Sequence, residues 1–217
     1  MKRFLTKKMT SGRNDFVRKY QTKAYTLDIG CEGKRFLDAF PNRVGLDVIP
    51  GEGVDVVADA HQLPFEKNTF DVVLCSEVLE HLHSPKQAIS EMYRVLKPGG
   101  ILILTTRFMF PIHDAPADYF RFSKGSLYYL LTDWNVIDFQ KEANALGTIG
   151  ILLQRIVYQT DLRGGKVTRV LLLLCAHLVS KLSFLVLEEY SDVKRLKKEP
   201  MGVFTTGYYL AAKKPIK

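Results

Sequence analysis

Short apolar runs, rich in β-branched residues, recur along the chain and predict the strands of a sheet. These runs are continuous rather than strictly alternating, which is typical of strands that are covered on both faces. The predicted strands lie at 24–27, 43–46, 54–57, 70–75, 101–106, 134–139 and 205–213. Stretches with helical periodicity separate most of them. The pattern therefore predicts an α/β sheet whose strands are mostly parallel.

The helix after His83 has the clearest boundary signals. Ser84 is placed to cap it, Pro85 stands at the first helical position, and Gln87 completes a Ser-x-x-Gln capping box. Residues 98–100, Pro-Gly-Gly, end the helix and turn the chain into the fifth strand. The apolar stripe of this helix consists of Ile89, Met92, Tyr93 and Leu96.

Other helical stretches are predicted at 14–20, 34–40 and 123–132, the last capped by Ser123. Between the last two strands lies a segment, 144–203, that is too long for a hairpin loop. It carries two apolar helical stretches, at 149–158 and 167–187. We therefore predict a loose, basic N-terminal arm over 1–22, a main domain over 23–217, and a helical insertion within that domain.

Composition is ordinary for a soluble globular protein, since 47% of the 217 residues are hydrophobic and 25% are charged. The three cysteines are widely spaced and predict no disulfide framework, and the basic start lacks the apolar core of a signal peptide. A cytoplasmic location is the expectation. The net charge of +8 is concentrated at the two ends, with +7 in residues 1–23 and +6 in residues 194–217. The preferred interpretation is solubilising termini, and contact with anionic lipid or nucleic acid is the alternative.

Two features indicate a nucleoside-binding edge of the sheet. The first strand ends in Asp28 and runs into a turn with Gly30, Cys31 and Gly33, where glycine allows a ligand to approach the backbone. The second strand ends at Asp47, about 20 residues after Asp28. A carboxylate at that position can accept hydrogen bonds from both ribose hydroxyls.

Five motifs in this order resemble class I S-adenosylmethionine-dependent methyltransferases, in particular the broad type-11 group that acts on small molecules. The resemblance covers about 24–140 and implies a doubly wound, mostly parallel seven-stranded sheet with an antiparallel last strand. The motifs are Asp28-Ile29-Gly30-Cys31, Asp47, Ala58-Asp59-Ala60 with Leu63-Pro64-Phe65, Phe70-Asp71-Val72-Val73 with Glu77-Val78-Leu79-Glu80-His81, and Leu96-Lys97-Pro98-Gly99-Gly100.

The first turn departs from the Gly-x-Gly-x-Gly of that family, because Glu32 and Lys34 stand where the second and third glycines would be. Gly33 could supply the close approach from a shifted position. The effect of the two charged residues on cofactor affinity is left open. A nicotinamide dehydrogenase is less favoured, since the turn also lacks Gly-x-Gly-x-x-Gly.

The resemblance implies S-adenosylmethionine as the cofactor, and it implies a role for each part of the edge. The turn would meet the methionine portion, Asp47 with Val48 the ribose, and Asp59 with Ala60 the adenine. Asp28 is expected mainly to order the turn. The implied cofactor-binding residues are Asp28, Gly30, Cys31, Gly33, Asp47, Val48, Asp59, Ala60, Ser76 and Glu77.

The loop after the fifth strand resembles a His-x-x-Pro-x-Asp-aromatic-x-Arg signature of type-11 enzymes in sugar and cell-envelope biosynthesis, running here from His113 to Arg121. His113 is the predicted general base for a hydroxyl acceptor. Tyr119 and Arg121 are predicted to bind the acceptor, with Arg121 holding a phosphate or carboxylate. The alternative is that Asp118 and Arg121 pair with each other and fix the loop.

No His, Cys, Asp and Glu cluster has metal spacing in the sequence, so no metal is predicted. His81 is expected to make a structural hydrogen bond, His83 to be solvated, and His177 to be a core residue. The apolar insertion is expected to be a lid over the acceptor, then a homodimer surface, then a peripheral membrane contact. The chain is expected to be a monomer or homodimer.

The favoured function is methylation of a small molecule, at a hydroxyl of a sugar, a lipid-linked intermediate or a related metabolite. A nucleic-acid methyltransferase is less favoured, because the body between the basic ends has a net charge of −5 and residues 75–78 read Cys-Ser-Glu-Val. A non-catalytic cofactor-binding protein is the third hypothesis.

Overall fold

The computed structural model describes residues 12–31, 33 and 35–216. They belong to two compact units, which are described separately. Among the described residues, the sheet unit comprises 13–31, 33, 35–107, 112–140 and 208–216, and the helical unit comprises 12, 108–111 and 141–207. The predictions for residues 1–11, Glu32 and Lys34 lie outside the described residues.

The sheet has seven strands in the order β3-β2-β1-β4-β5-β7-β6. β1 pairs in parallel with β2 and β4, β2 with β3, and β4 with β5. β7 runs antiparallel, because Lys214 bonds to Gly100 near one end of β5 while Thr206 bonds to Phe108 at the other. The predicted fold class is confirmed. The strands are β1 (Thr26–Ile29), β2 (Arg43–Asp47), β3 (Val56–Val57), β4 (Phe70–Ser76), β5 (Leu96–Arg107), β6 (Asn135–Lys141) and β7 (Gly207–Lys213).

Helices flank the sheet, and two more belong to the helical unit. Those of the sheet are α1 (Gly12–Lys19), α2 (Pro85–Val95) and α3 (Lys124–Leu130), and those of the helical unit are α4 (Ala145–Gln159) and α5 (Gly165–Lys181). Short 3-10 turns cover Leu79–His81 and Leu182–Leu185. Ser123 caps α3 as predicted, since its hydroxyl accepts a hydrogen bond from the amide of Ser126.

The part of the N-terminal arm that the structure describes is packed on the sheet unit, so the expectation of a loose arm is wrong for residues 12–22. Phe16 and Val17 of α1 are buried in one core cluster with residues of β4 and β5. Arg18 pairs with Asp38 on the surface, and Lys19 pairs with Asp138. The packing of α1 was not predicted from the sequence, because two apolar residues among many charged ones give no clear helical stripe.

The predicted helix over 34–40 is absent among its described residues, which form a turn. Phe36 accepts hydrogen bonds from the amides of Ala39 and Phe40, so the chain closes about one helical turn before β2. Phe36 and Phe40 are buried in the core cluster of α1. Because these aromatic anchors lie only four residues apart, a single turn is enough to bury both.

α2 begins at Pro85 as predicted, but the capping box does not form. Ser84 makes no side-chain cap, and the side chain of Gln87 donates instead to the carbonyl of His61. The helix ends at Val95, and β5 already begins at Leu96. Residues 98–100 therefore form an irregularity within β5, between the pairs Phe70–Leu96 and Val72–Ile101, rather than a turn before it.

Candidate active site

A cleft of about 190 Å³ opens at the carboxyl ends of the first strands of the sheet unit. This is where open α/β sheets bind their ligands. The lining includes Gly30, Asp47, Val48, Asp59 and Ala60 of the predicted cofactor set, together with the predicted acceptor residue Tyr119. The remaining lining residues are Ile29, Leu46, Ala58, His61, Val78, His81, Leu82 and His83.

Gly30 forms the floor of the cleft in a conformation that favours glycine. Its φ is +68°, and a Cβ on it would lie 2.2 Å from Cγ2 of Val78. The amides of Gly30 and Cys31 both donate to the carbonyl of Leu46, at 2.8 and 3.4 Å. Both N–H groups are therefore engaged within the protein and are not available to a ligand. A phosphate could not use them, which disfavours a dinucleotide at this turn.

The turn is fixed from behind by a buried ion pair that the sequence did not indicate. Arg43 donates to Asp28 at 2.8 Å and to the carbonyls of Gly33 and Gly53 at 3.0 and 3.3 Å. The thiol of Cys31 also contacts the carbonyl of Gly53, at 3.3 Å. Asp28 thus orders the turn, as expected. Gly33 is open around its Cα and is not among the residues that line the cleft.

Burial raises the pKa of Asp28 to about 6, although the Arg43 guanidinium opposes the shift. Between about pH 4 and pH 6, Asp28 therefore keeps its proton in the folded state, whereas the unfolded chain has already released it. The contribution of this group to the free energy of unfolding is fully present below about pH 4 and is lost as the pH rises through 6.

We expect Asp28→Asn to remove this dependence. In urea unfolding, the wild type should lose up to about 3 kcal/mol from this group between pH 4 and pH 7. The matched control is Asp38→Asn, because Arg18 lowers the pKa of Asp38 and that side chain is exposed. An identical pH slope in wild type and Asp28→Asn would contradict the buried assignment.

Asp59 is held in place by His61, a buried residue that the sequence did not indicate. One oxygen of Asp59 accepts from the backbone amide of His61 at 2.8 Å and from its Nδ1 at 2.5 Å. The Nε2 atom of His61 accepts from the amide of Ser84, so Nδ1 carries the proton. The His61 amide bond is the main cause that lowers the pKa of Asp59. Asp59 is thus an oriented, exposed acceptor at the adenine end predicted for the cleft.

Asp47 lines the cleft at the end of β2. One of its oxygens accepts from the amide of Ile49 at 3.1 Å, which orients the carboxylate. Val48 next to it is exposed and lines the cleft.

Ser76 and Glu77 follow β4 and are already engaged within the protein. The Ser76 hydroxyl lies 3.0 Å from that of Thr105, which in turn donates to Glu77 at 3.1 Å. Glu77 has a φ of +61° and forms ion pairs with Arg107 and, at 3.6 Å, with Arg13. Their predicted contacts with a cofactor stay predictions.

The acceptor loop, residues 112–122, is fastened to the 3-10 turn after β4. The amides of Tyr119 and Phe120 donate to the carbonyl of Glu80 at 2.9 and 3.1 Å. His81 Nδ1 lies 2.6 Å from the carbonyl of Ala117, so this nitrogen carries a proton. The structural hydrogen bond expected for His81 is present, and the ring also lines the cleft.

His113, Asp118 and Arg121 form one cluster in this loop. Arg121 binds Asp118 through both terminal nitrogens, at 2.5 and 2.7 Å, so the alternative that they pair is what the structure shows. Asp118 also accepts from the amide of His113 at 2.9 Å and lies 3.3 Å from its Nδ1. Burial lowers the pKa of His113, which keeps its ring neutral near pH 7. Binding of an acceptor by Arg121 stays a prediction.

Glu80 is a buried carboxyl beside this cluster that sequence reasoning left without a role. Its Oε2 accepts from the Thr106 hydroxyl at 2.7 Å, while Oε1 is buried without a hydrogen-bond partner. Burial raises the pKa of Glu80, and the charge of Glu77 adds to the shift. A neutral carboxyl is therefore the favoured form in this setting.

Two groups of side chains have ligand atoms close enough for a metal ion, although the sequence spacing indicated none. They are Asp59 with His61 and His83, and Glu80 with His81 and His113. In the first group, both ring nitrogens of His61 are already bonded within the protein. In the second, the guanidinium groups of Arg107 and Arg121 lower the pKa of His113 and would likewise repel a cation. The prediction of no metal stays a prediction.

A second cavity of about 280 Å³ lies on the other side of α2, lined by residues such as Lys86, Tyr93, Tyr129 and Trp134. It shares no lining residue with the cleft at the strand ends, and the acidic residue in its lining is Asp133. The candidate chemistry is at the strand ends.

Comparison with known proteins agrees with this geometry. Residues 27–104 match the family model described as methyltransferase domain. The chain is 48% identical over 85 residues to a demethylmenaquinone methyltransferase of Renibacterium salmoninarum, covering 35% of this chain and 36% of the relative. It is 37% identical over 92 residues to the ubiquinone/menaquinone biosynthesis C-methyltransferase UbiE of Idiomarina loihiensis, covering 38% and 37%. The match thus spans little more than a third of either relative.

The fold is similar to that of a solved 1,6-didemethyltoxoflavin-N1-methyltransferase from Burkholderia thailandensis with bound S-adenosylhomocysteine. The TM-score is 0.55 at 15% identity, over 96% of this chain and 79% of the other. At that identity the likeness shows the fold alone. The predicted resemblance to class I methyltransferases of the type-11 group is confirmed over residues 27–104.

Proposed function

We propose that the chain is an S-adenosylmethionine-dependent methyltransferase that acts on a small-molecule acceptor. The observation that carries the proposal is the cleft, where Gly30, Asp47 and Asp59 follow the ends of β1, β2 and β3, three strands that are adjacent in the sheet. Each carboxylate is oriented by a backbone amide. The family match and the names of the relatives support the same activity.

The residues present fit an adenosyl cofactor. Carboxylates at the ends of β2 and β3 suit the ribose hydroxyls and the adenine amino group, which are hydrogen-bond donors. The absence of a side chain at Gly30 lets Val78 pack against the turn, and both residues line the cleft. The Arg43–Asp28 pair holds that turn in place.

The cofactor supplies an activated methyl group, so the protein has to position an acceptor and manage its proton. The acceptor loop supplies His113, whose neutral ring can take a proton from a hydroxyl. Asp118 lies beside the ring and is held by Arg121, so an imidazolium formed at His113 would have a fixed counter-charge. Tyr119 lies at the cleft and would contact the acceptor between these groups.

The proposed acceptor is a hydroxyl-bearing small molecule. The relatives that the chain resembles are named for quinone biosynthesis, which supports an aromatic or lipid-linked acceptor over a free sugar. The hydroxyl proton, rather than a ring carbon, is the target that His113 fits.

We expect wild-type protein to bind S-adenosylmethionine and S-adenosylhomocysteine in isothermal titration calorimetry. Asp47→Ala should weaken both about tenfold to a hundredfold, because a charged hydrogen bond contributes roughly 1.5–3 kcal/mol. Asp133→Ala, on the surface away from the cleft, should leave both affinities unchanged. No heat with either ligand would overturn the proposed activity, and equal affinity for Asp47→Ala would overturn the role of Asp47.

A further inference from the structure

The helical unit presents a long apolar surface to solvent. Among the described residues, Gly165–Leu185 is the one helical segment long and apolar enough to cross a membrane, and only 6% of its apolar 18-residue window is buried. It combines α5 with the 3-10 turn after it. We call its exposed apolar side the α5 face, and its members are Val167, Val170, Leu171, Leu174, Leu178, Phe184 and Leu185.

The spacing of these residues shows that the face is a stripe and not a scatter. Val167, Leu171, Leu174 and Leu178 follow at i, i+4, i+7 and i+11, which places them on one side of the helix. The opposite side packs on α4, where a Cβ on Gly150 would lie 2.8 Å from the carbonyl of Ala176. Soluble proteins rarely expose a contiguous apolar surface of this kind without a partner.

The base of the helix pair is firmly built, so the face is not a frayed segment. Asn144 caps α4 and donates to the carbonyl of Ser183 at 2.7 Å. Glu189 accepts from the amides of Ala145 and Val203 at 2.7 and 3.1 Å, and from Lys141 at 3.1 Å. These bonds join the start of α4 to the end of α5, so the two helices form a hairpin.

Charge around the face favours an anionic partner. Residues 141–207 contain ten Lys and Arg against six Asp and Glu, a net charge of +4. Lys166 and Arg169 lie at the start of α5, and Lys181 lies at its end, beside an otherwise uncharged run from Val170 to Ser180. An apolar stripe with cations at both ends is the pattern of a helix that lies in the membrane interface.

We propose that the α5 face is a membrane-docking surface that lies in the interface of an anionic lipid bilayer. Leucine and phenylalanine side chains enter the acyl boundary, and Lys166, Arg169 and Lys181 reach the phosphate layer along their own alkyl chains. The docking itself does not depend on methyl transfer, so its test is independent of the proposed function.

Flotation with vesicles tests the docking directly. We expect the full chain to float with vesicles of phosphatidylcholine and phosphatidylglycerol at 50 mM salt. Binding should weaken with phosphatidylcholine alone and at 500 mM salt. Failure to float with the anionic vesicles at low salt would overturn the proposal.

Replacement of two leucines distinguishes vesicle binding by the α5 face from non-specific binding by other exposed apolar residues. Leu171→Gln with Leu174→Gln should lower the vesicle partition coefficient at least tenfold, since each leucine side chain contributes roughly a factor of ten when it is fully buried. The matched control replaces Val57 and Ile137, two exposed apolar residues of the sheet unit, with glutamine. Equal loss in both variants would overturn the assignment of the α5 face.

Tryptophan quenching locates the face and distinguishes lipid from a second copy of the chain. The only native tryptophan is Trp134, so Leu174→Trp in a Trp134→Phe background places one fluorophore on α5. Brominated phospholipids should quench it, with a blue shift of its emission. A dimer in sedimentation that Leu171→Gln with Leu174→Gln abolishes, combined with no quenching, would show that the face joins two copies instead.

Discussion

Replacing Gly30 with alanine is expected to abolish adenosyl-cofactor binding, whereas the same replacement at Gly33 is expected to preserve it. Both glycines have positive φ, +68° and +66°. Each alanine therefore faces a similar backbone penalty of about 1–2 kcal/mol. The two positions differ in what surrounds the new methyl group.

At Gly30 the added Cβ would lie 2.2 Å from Cγ2 of Val78, and at Gly33 nothing lies within 4 Å. Val78 cannot move away without displacing the 3-10 turn at 79–81, where Leu79 and Glu80 are buried. The turn at Gly30 must shift instead, into the floor of the cleft. The expected result is at least a hundredfold weaker binding for Gly30→Ala.

Calorimetry with S-adenosylhomocysteine and urea unfolding of both variants provide the measurement. Gly33→Ala controls for backbone strain, so its loss of stability should be comparable while its affinity stays within about threefold of wild type. If both variants keep wild-type affinity, the cofactor does not lie over Gly30. If both lose it equally, strain in the turn and not the clash is responsible.

The framework of the sheet was predictable from the sequence because buried parallel strands leave an unambiguous record. Continuous apolar runs mark β1, β4 and β5, and Asp47 marks the end of β2. The start of α3 could likewise be predicted from Ser123, since a local cap depends on neighbours in the sequence. The failed capping box at Ser84 shows the limit. His61, more than 20 residues away, occupies the Ser84 amide and the Gln87 side chain.

The supports of the candidate site could not be predicted, because they join residues that are distant in sequence. Arg43 was indistinguishable from any charged residue at the start of a strand, yet parallel pairing of β1 and β2 places its guanidinium behind Asp28. Glu80 was part of a family motif, but its burial depends on Thr106 of β5. Only the assembled sheet turns these residues into a buried ion pair and a buried acid.

The acceptor loop illustrates the same division within a few residues. The sequence predicted His113 as a general base, and it predicted the pairing of Asp118 with Arg121 as one of two possibilities. The structure adds that the carbonyl of Glu80 receives two amides of the loop. The loop is therefore positioned by the turn after β4, the segment that also borders the cleft. A candidate base and a cofactor site are thus brought to the same side of the sheet unit.

Replacing His113 with glutamine is expected to lower kcat about 10²- to 10⁴-fold for a hydroxyl acceptor, with little change in cofactor affinity. General-base catalysis accounts for an effect of that size. The groups that face His113 are Asp118, which favours its protonated form, and His81, Arg107 and Arg121, which oppose it. Burial outweighs Asp118 and lowers the pKa of His113, so the ring is the competent base at neutral pH.

In the wild type, the midpoint of the acid limb of the kcat/KM profile should therefore lie below pH 6.5, the ordinary pKa of histidine. Activity is present above that pKa and is lost as the pH drops through it, and in His113→Gln this limb should disappear. The rates are measured with hydroquinone and lipid-linked acceptors, by using mass spectrometry to monitor the S-adenosylhomocysteine that is released. Proton NMR titration of the five histidines, with His113→Gln to assign one signal, gives the pKa without any acceptor. His177→Gln, in the helical unit, is the matched histidine control. If kcat of His113→Gln is within threefold of the wild-type value, the acceptor loses no proton to this ring. If His113 titrates above pH 6.5, the result contradicts the buried setting from which its role is inferred.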